Sequence, residues 1–405
     1  MEDGPALLPT RSQRTLASDM KFNARAHSIP LSATLALDAR AKELIASGRD
    51  IINMTAGEPD FDAPSAVRDA ARAFVDSGKV RYTPAPGRPS LRETIAGHLS
   101  RTHGLPFEAK EVTVCHSAKH ALSGTLLSLV SEGDEVLLLL PAWVSYFEMV
   151  RFAGGEPVAI ACRPDLGPDL EALAAAVTEK TCGIMINSPC NPSGYCFTAE
   201  EMQAIVDICK ERDLWILSDE IYSRMMYDGT EHVSPVTYGE DARARTIIVD
   251  GASKAFAMTG YRIGYLAADP EISGTVGRLH SQLTGAPNAI SQEAFEQALS
   301  EEPVEVAGMV EEFDRRRKLI VSGLQELGLP TAMPSGAFYV FPDVSAHLDE
   351  SGSMGFSERL LEEVGVASVP GSAFGTEGHV RLSYALSEAE IAEALGRIGR
   401  FLGQS

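Results

Sequence analysis

Basic residues are scarce in this chain: 35 Lys and Arg stand against 56 Asp and Glu, a formal net charge of -21. Such a field repels phosphate backbones and anionic lipid surfaces, so neither nucleic acid nor a membrane is expected as a partner. Long apolar runs are missing as well, since nothing approaches the roughly 20 residues that cross a bilayer. The opening MEDGPALLPTRSQRTLASDM carries two early acids and no sustained apolar stretch, and does not read as a secretory signal. Six cysteines occur without a CxxC pair, mostly in apolar surroundings, as reduced thiols do. A cytoplasmic location is therefore expected. Also absent are HExxH, a Walker A segment and GxGxxG, which removes the usual sequence warrants for a zinc peptidase, ATP or NAD. His116 and His120 lie one turn apart beside Cys115, but no third ligand stands out, so no metal is expected.

What the chain has is size and apolar content: 405 residues, 44% of them hydrophobic, are enough for a large domain with a smaller one attached. PSAVRDAARAFVDSG (64–78) places Val67, Ala70, Ala71, Phe74 and Val75 on one helical face, with Gly78 as the stop. EVLLLLP (135–141), CGIMINSP (182–189), DLWILSDE (213–220) and TIIVDG (246–251) are continuous apolar runs, as strands buried on both faces are. Between the second and third, Thr198 and Glu201 are spaced as a capping box ahead of an amphipathic crossover helix. The alternation is that of an α/β domain. After about residue 296 the texture changes to a long charged helix, short strand runs such as GAFYVFPDV and HVRLSYA, and a closing amphipathic helix, as in a small α+β unit. The expected division is a large domain over 56–295 and a small domain made of 1–55, including an N-terminal arm, and 296–405.

Five segments carry chemistry. In GASKAFAMTGYRIGY (251–265) Lys254 directly follows a strand and Arg262 stands eight residues later, before another. SDEIY (218–222) puts Asp219 at the C-terminal end of a buried strand, where sites on α/β sheets form, with Tyr222 three residues on. NSPCNPSG (187–194) holds Asn191 in a Pro/Gly-rich turn. HSAKHAL (116–122) opens a helix with the small residues Ser117 and Ala118, whose N–H groups an anion could approach. PAWVSY (141–146) offers Trp143, a flat ring able to stack. Singly, each has a plainer reading as a solvated lysine, a turn, a strand end or a core tryptophan. Together they supply the different needs of one cofactor.

With TAGEPDF (55–61), SGAFYV (335–340) and HVRLSYA (379–385), these segments resemble the class I aminotransferases of fold type I, in particular the bacterial aspartate/prephenate subgroup, from about residue 28 onward. The resemblance implies a pyridoxal-phosphate enzyme whose large domain carries a mostly parallel seven-stranded sheet, beside a smaller α+β domain. It implies that Lys254 holds the cofactor as a Schiff base and later moves the proton. Asp219 would pair with the pyridine nitrogen, Tyr222 and Asn191 with the ring oxygen, and Trp143 would stack on the ring. Arg262 and the turn at Ser117, Ala118 and Lys119 would meet the phosphate. Arg381 would clamp the substrate carboxylate, near the backbone of Gly57 and within reach of Trp143 and Asn191. Tyr82 would reach the phosphate held by a partner subunit, so that the active site lies at a homodimer interface. Lys119, with Ser32, Ala33 and Thr34, would recognise a distal carboxylate. The implied reaction is ping-pong transfer of an amino group between an acidic amino acid, aspartate or glutamate, and a 2-oxo acid. A prephenate or aromatic amino-acid aminotransferase, or a lyase or synthase of the same fold, would read alike. Two positions depart from the pattern. Gly251 stands where many relatives have a phosphate-binding serine, with Ser253 too close to the lysine to be counted on instead, and Cys190 stands where asparagine is common.

Overall fold

The four apolar runs at 135–141, 182–189, 213–220 and 246–251 become neighbours in one sheet of the computed structural model, which describes Asn23, His27, Ile29 and residues 33–404. The strands are β1 (Ile52–Asn53), β2 (Val112–Cys115), β3 (Glu135–Leu139), β4 (Glu156–Ile160), β5 (Thr181–Asn187), β6 (Trp215–Asp219), β7 (Thr246–Gly251) and β8 (Gly264–Ala267). After them come β9 (Tyr339–Val340), β10 (Val366–Ala367), β11 (Val369–Pro370) and β12 (Val380–Ser383). The large sheet has seven strands in the order β2-β8-β7-β6-β5-β3-β4, and only β8 runs antiparallel to its neighbours. The expected α/β fold with a mostly parallel seven-stranded sheet is what forms. Parallel strands need crossovers, and the helix Ala199–Glu211 is one: Thr198 and Glu201 make the reciprocal capping box, while Met202, Ile205, Val206 and Cys209 are buried in one cluster with Ile184, Ile186 and Ile216 of the sheet.

Register decides where chemistry collects. Asn187 pairs with Asp219 across β5 and β6, so two polar residues that close apolar strands stand side by side at the C-terminal edge of the sheet. Downstream, β11, β12 and β9 form an antiparallel sheet, and β1 pairs with β10 in parallel. All four residues of β12 are buried, Arg381 among them. Phe313 of the helix Val304–Glu326 stacks on Phe338 at 5.3 Å, tying that helix to the small sheet.

The helix foreseen over 64–78 runs Ser65–Asp76. Its buried face is narrower than expected, because Val67 is fully buried while Val75, at the margin of the stripe, is 49% exposed. The chain separates into two units, Met1–Pro30 and Leu31–Ser405. Ser32 and the side chains of Ala33 and Thr34 lie outside the described residues, and with them most of the segment expected to meet a distal carboxylate. Among the described residues no helix is long and apolar enough to cross a membrane.

Candidate active site

A cavity of about 620 Å³ opens at the C-terminal ends of β2, β5, β6 and β7. Of the expected residues, Gly57, Ser117, Ala118, Lys119, Trp143 and Asn191 line it, together with Asp219, Tyr222, Lys254, Arg262 and Arg381. Tyr82 does not: it is fully exposed and is not a lining residue of its own chain's cavity.

Asp219 is buried at the end of β6, where Tyr146 donates to Oδ2 at 2.7 Å and the Ile221 N–H donates to Oδ1 at 3.2 Å. Burial pushes its carboxyl up to about 6, a rise these two bonds oppose. Among the described residues no cation forms a salt bridge with it. Lys254 is half-buried, donates to the Gly57 carbonyl, and is pushed down to about 8. Burial is the main cause, opposed by Glu58 and reinforced by the positive charges of Arg381 and Arg262. Arg381 is 2% exposed and donates to Asn191 Oδ1 at 2.9 Å and to the Thr55 carbonyl at 2.7 Å. Its Nε has no partner and no carboxylate pairs with it among the described residues. Tyr222 and Tyr339 share a hydrogen bond of 3.0 Å between their hydroxyls.

These features fit pyridoxal phosphate and an amino acid. A buried carboxylate without a counter-ion suits a protonated ring nitrogen, because an unpaired buried charge is costly. A buried guanidinium with a free N–H suits a second carboxylate. The anion cradle is built from close backbone approach. A Cβ on Gly264 would collide with the backbone of Ser117 and Ala118, so glycine there lets β8 press against the turn that opens the helix Ala118–Leu129. Arg262, exposed at the other side of that cradle, holds the left-handed conformation at φ +53° and donates to the Thr259 carbonyl at 2.8 Å. A non-glycine residue in that region is uncommon, and here it belongs to a residue that lines the cavity.

The two departures acquire reasons. A Cβ on Gly251 would stand 2.8 Å from the Ile263 carbonyl and from Gly264 Cα, so serine has no room there without a backbone shift. Ser253, which was not counted on, does line the cavity and places a hydroxyl there. Cys190 is buried, its thiol pushed up to about 11 by burial, with Sγ 3.4 Å from the Pro141 carbonyl; it packs behind Asn191 as a neutral group.

Several residues of the site were not singled out from the sequence. Tyr146 follows Trp143, the N-cap of the helix Val144–Ala153, by three positions, and the two rings meet edge to face at 5.4 Å, a spacing that could have flagged it. Asn187 accepts from the Asn191 N–H at 2.8 Å and donates to the Asp219 carbonyl at 2.9 Å, and its signal was a polar residue ending an apolar strand. Glu58 and Thr259 are joined at 2.8 Å, a pair that nothing local in the sequence announces, and Asp38 and Lys42 pair at 2.7 Å on the cavity wall, where their i, i+4 spacing on the helix Ala33–Ala46 was a local signal.

Residues 49–398 match the family described as aminotransferase class I and II. The chain is 43% identical over 388 residues to the aspartate/prephenate aminotransferase of Thermus thermophilus, covering 94% of this chain and 98% of that one. It is 42% identical over 393 residues to the aspartate aminotransferase of Geobacillus stearothermophilus, covering 95% and 99%. Among solved structures, aspartate aminotransferase from Thermus thermophilus with maleate superposes with a TM-score of 0.91 at 42% identity, over 94% of this chain and 99% of that one.

Proposed function

The chain belongs to the class I and II aminotransferases, enzymes that work with pyridoxal phosphate, and on that premise we propose that it exchanges the amino group of aspartate or glutamate with a 2-oxo acid. One observation carries the reading: a single cavity brings together a lysine amine of lowered pKa, a buried carboxylate without a counter-ion and a buried arginine without an acid. When bound, pyridoxal phosphate supplies the carbonyl that captures the amino group and a protonated ring that draws electrons from the substrate α-carbon. Lys254 would be the covalent anchor and, once released, its Nζ would take up and give back the proton of the substrate α-carbon. Asp219 keeps the ring nitrogen protonated. Asn191, whose Oδ1 is taken by Arg381, has its Nδ2 for the ring oxygen, beside the Tyr222 hydroxyl. Trp143 stacks on the ring, and Arg262 with the N–H groups of Ser117, Ala118 and Lys119 receives the phosphate. Arg381 grips the α-carboxylate next to the Gly57 backbone. The division into 56–295 as the cofactor domain and 1–55 with 296–405 as the small domain belongs to the same proposal.

The same proposal includes a homodimer, supported by Tyr82, which is fully exposed in one chain and suits the phosphate of a partner. Val75 and Val80, both exposed close to it in sequence, suit burial in the same interface. A cytoplasmic location is supported by six free thiols.

The preference for acidic substrates rests on Lys119. Its Nζ lies 4.9 Å from the Trp143 ring centroid, and burial and then the charge of Arg262 lower its pKa. A charge-assisted bond to a distal carboxylate contributes about 1.5–3 kcal/mol. Lys119→Ala should therefore raise the KM for aspartate roughly 10- to 100-fold and leave that for alanine nearly unchanged; equal changes would make Lys119 structural. A panel of amino donors against 2-oxoglutarate, oxaloacetate and prephenate tests the whole reading, and separates it from prephenate or aromatic transamination. Stoichiometric accumulation of the pyridoxamine form in one half-reaction separates it from a lyase.

The amine of Lys254 attacks the cofactor aldehyde only when neutral, and the neutral fraction grows as pH rises through its pKa. Capture of added pyridoxal phosphate by the cofactor-free protein, followed by absorbance after rapid mixing, should accelerate from pH 6 to a plateau with a midpoint near about 8. A rate still climbing at pH 10 would mean that the cavity does not depress the amine.

A further inference from the structure

Three histidines and a cysteine meet at a place the transamination reading does not use. Cys115 ends β2, His120 stands in the first turn of the helix Ala118–Leu129, and His280 comes from the helix Pro270–Leu283. One ligand atom from each lies within 4.8 Å of the other two. The His116 ring joins them, its centroid 5.4 Å from that of His120 and 5.3 Å from that of His280, while the His120 and His280 centroids are 4.6 Å apart. None of the four lines the cofactor cavity.

The hydrogen-bond inventory of this cluster is incomplete. His280 is 2% exposed, yet neither of its ring nitrogens has a partner among the described residues; His120 Nδ1 and His116 Nε2 are likewise buried and unpartnered. A buried polar atom left unpaired costs about 1–3 kcal/mol, and here four occur together. His120 Nε2, by contrast, is 3.3 Å from Thr284 Oγ1. That bond orients the ring and leaves Nδ1 as the free nitrogen, which is how a second partner usually fixes a ligating histidine.

We propose that Cys115, His120 and His280 bind a borderline divalent transition-metal ion of the Zn²⁺ class, with His116, whose ring nitrogens stand outside that set of ligand atoms, rotating in as the fourth ligand. Imidazole nitrogen and thiolate sulfur are the donors such ions prefer in closed tetrahedral sites. At ordinary bond lengths tetrahedral ligand atoms stand ~3.3–3.8 Å apart, so side-chain rotation closes the cluster by about 1 Å. Binding removes the proton from Cys115 Sγ to solvent, and the cation provides the stabilisation of the thiolate that a buried apolar strand end denies it. The sequence concealed the site because its third ligand lies on a helix far along the chain, with no motif linking it to the His116 and His120 pair.

The holoenzyme, stripped with a chelator, is titrated with ZnCl₂ in a calorimeter, and in parallel loaded with Co²⁺, whose d–d bands lie to longer wavelength than cofactor absorption. The expected result is one Zn²⁺ per chain and intense tetrahedral Co²⁺ bands. His280→Asn and Cys115→Ser should each weaken Zn²⁺ binding at least about 100-fold, the upper end of the cost of losing even an outer partner. Cys115→Ser should also abolish sulfur-to-cobalt charge transfer. Where circular dichroism shows that one variant has not folded, the other decides, with His120→Gln as a third. Absence of Zn²⁺ binding, affinities unchanged in folded variants, or weak octahedral Co²⁺ bands overturn the proposal, the last two assigning the ion to surface carboxylates or cofactor oxygens.

Discussion

Lys254→Ala should lower kcat/KM for every amino donor by more than about 10⁴-fold and abolish borohydride-stable attachment of the cofactor, while leaving the cofactor bound non-covalently. The size follows from two tasks in one amine. A positioned acid–base group contributes about 10²–10⁴-fold, and covalent preactivation of the carbonyl is lost in addition. The amine is prepared for both, since burial and two arginines bring it down to about 8, within reach of the pH at which it must give and take a proton. The cofactor should stay because Arg262 and the cradle at Ser117 and Ala118, proposed to bind the phosphate, do not hydrogen-bond to Lys254, whose amine donates to the Gly57 carbonyl and to no other group among the described residues. Steady-state kinetics, mass spectrometry after borohydride and the absorbance of the purified variant check the three parts. Turnover within tenfold of the parent enzyme would remove Lys254 from the chemistry.

What could be read without coordinates divides along a physical line. Asp219 was legible because strands buried on both faces are apolar, so a polar residue where the run ends is conspicuous, and Asn191 and Lys254 because they stand in the segments just after such strands, at the edge of a parallel sheet where sites gather. The capping box at Thr198 and Glu201 was legible because its partners are three residues apart. Tyr146, Tyr339 and His280 were not, since each acquires its role only by meeting a residue distant in sequence: Asp219, Tyr222 and His120 respectively. Arg381 sits between. A strand reading VRLS gives no sign that its arginine is buried without an acid, and only the family resemblance located it. Val75 erred in the opposite direction, because periodicity marks a stripe and not its width, and packing leaves the stripe's margin outside. Gly251 looked like a missing hydroxyl, but the backbone of β8 excludes a side chain there.

Asp219→Asn separates what the buried carboxylate does for the reaction from what it costs the fold. Asparagine has the same shape but a single side-chain oxygen, which can accept from Tyr146 or from Ile221 and not from both, so packing is preserved while the charge and one hydrogen bond are lost. Removing one preorganised group that stabilises developing charge costs about 10²–10³ in kcat, or about 2.7–4 kcal/mol, and that is the expected loss with little change in KM, since Arg381 still holds the substrate. Stability should move the other way in the cofactor-free protein. Burial raises the carboxyl from 3.8 to about 6, so between those values the native state binds more protons than the unfolded chain, and stability falls as pH rises through that window. Above about pH 6 the native state bears the full cost of a buried ionised carboxylate that has no salt bridge and only the more distant charge of Lys254 to offset it, on the order of 1–3 kcal/mol. Asparagine has no such cost. The cofactor-free variant should therefore melt higher than the parent at pH 7.5 and match it near pH 4, and the advantage should shrink once pyridoxal phosphate binds and gives Asp219 the ring nitrogen as its partner. Calorimetric melting of both proteins, with and without cofactor at the two pH values, tests this. A variant less stable than the parent at pH 7.5 without cofactor would mean that Asp219 holds the fold through its hydrogen bonds more than it burdens it with charge.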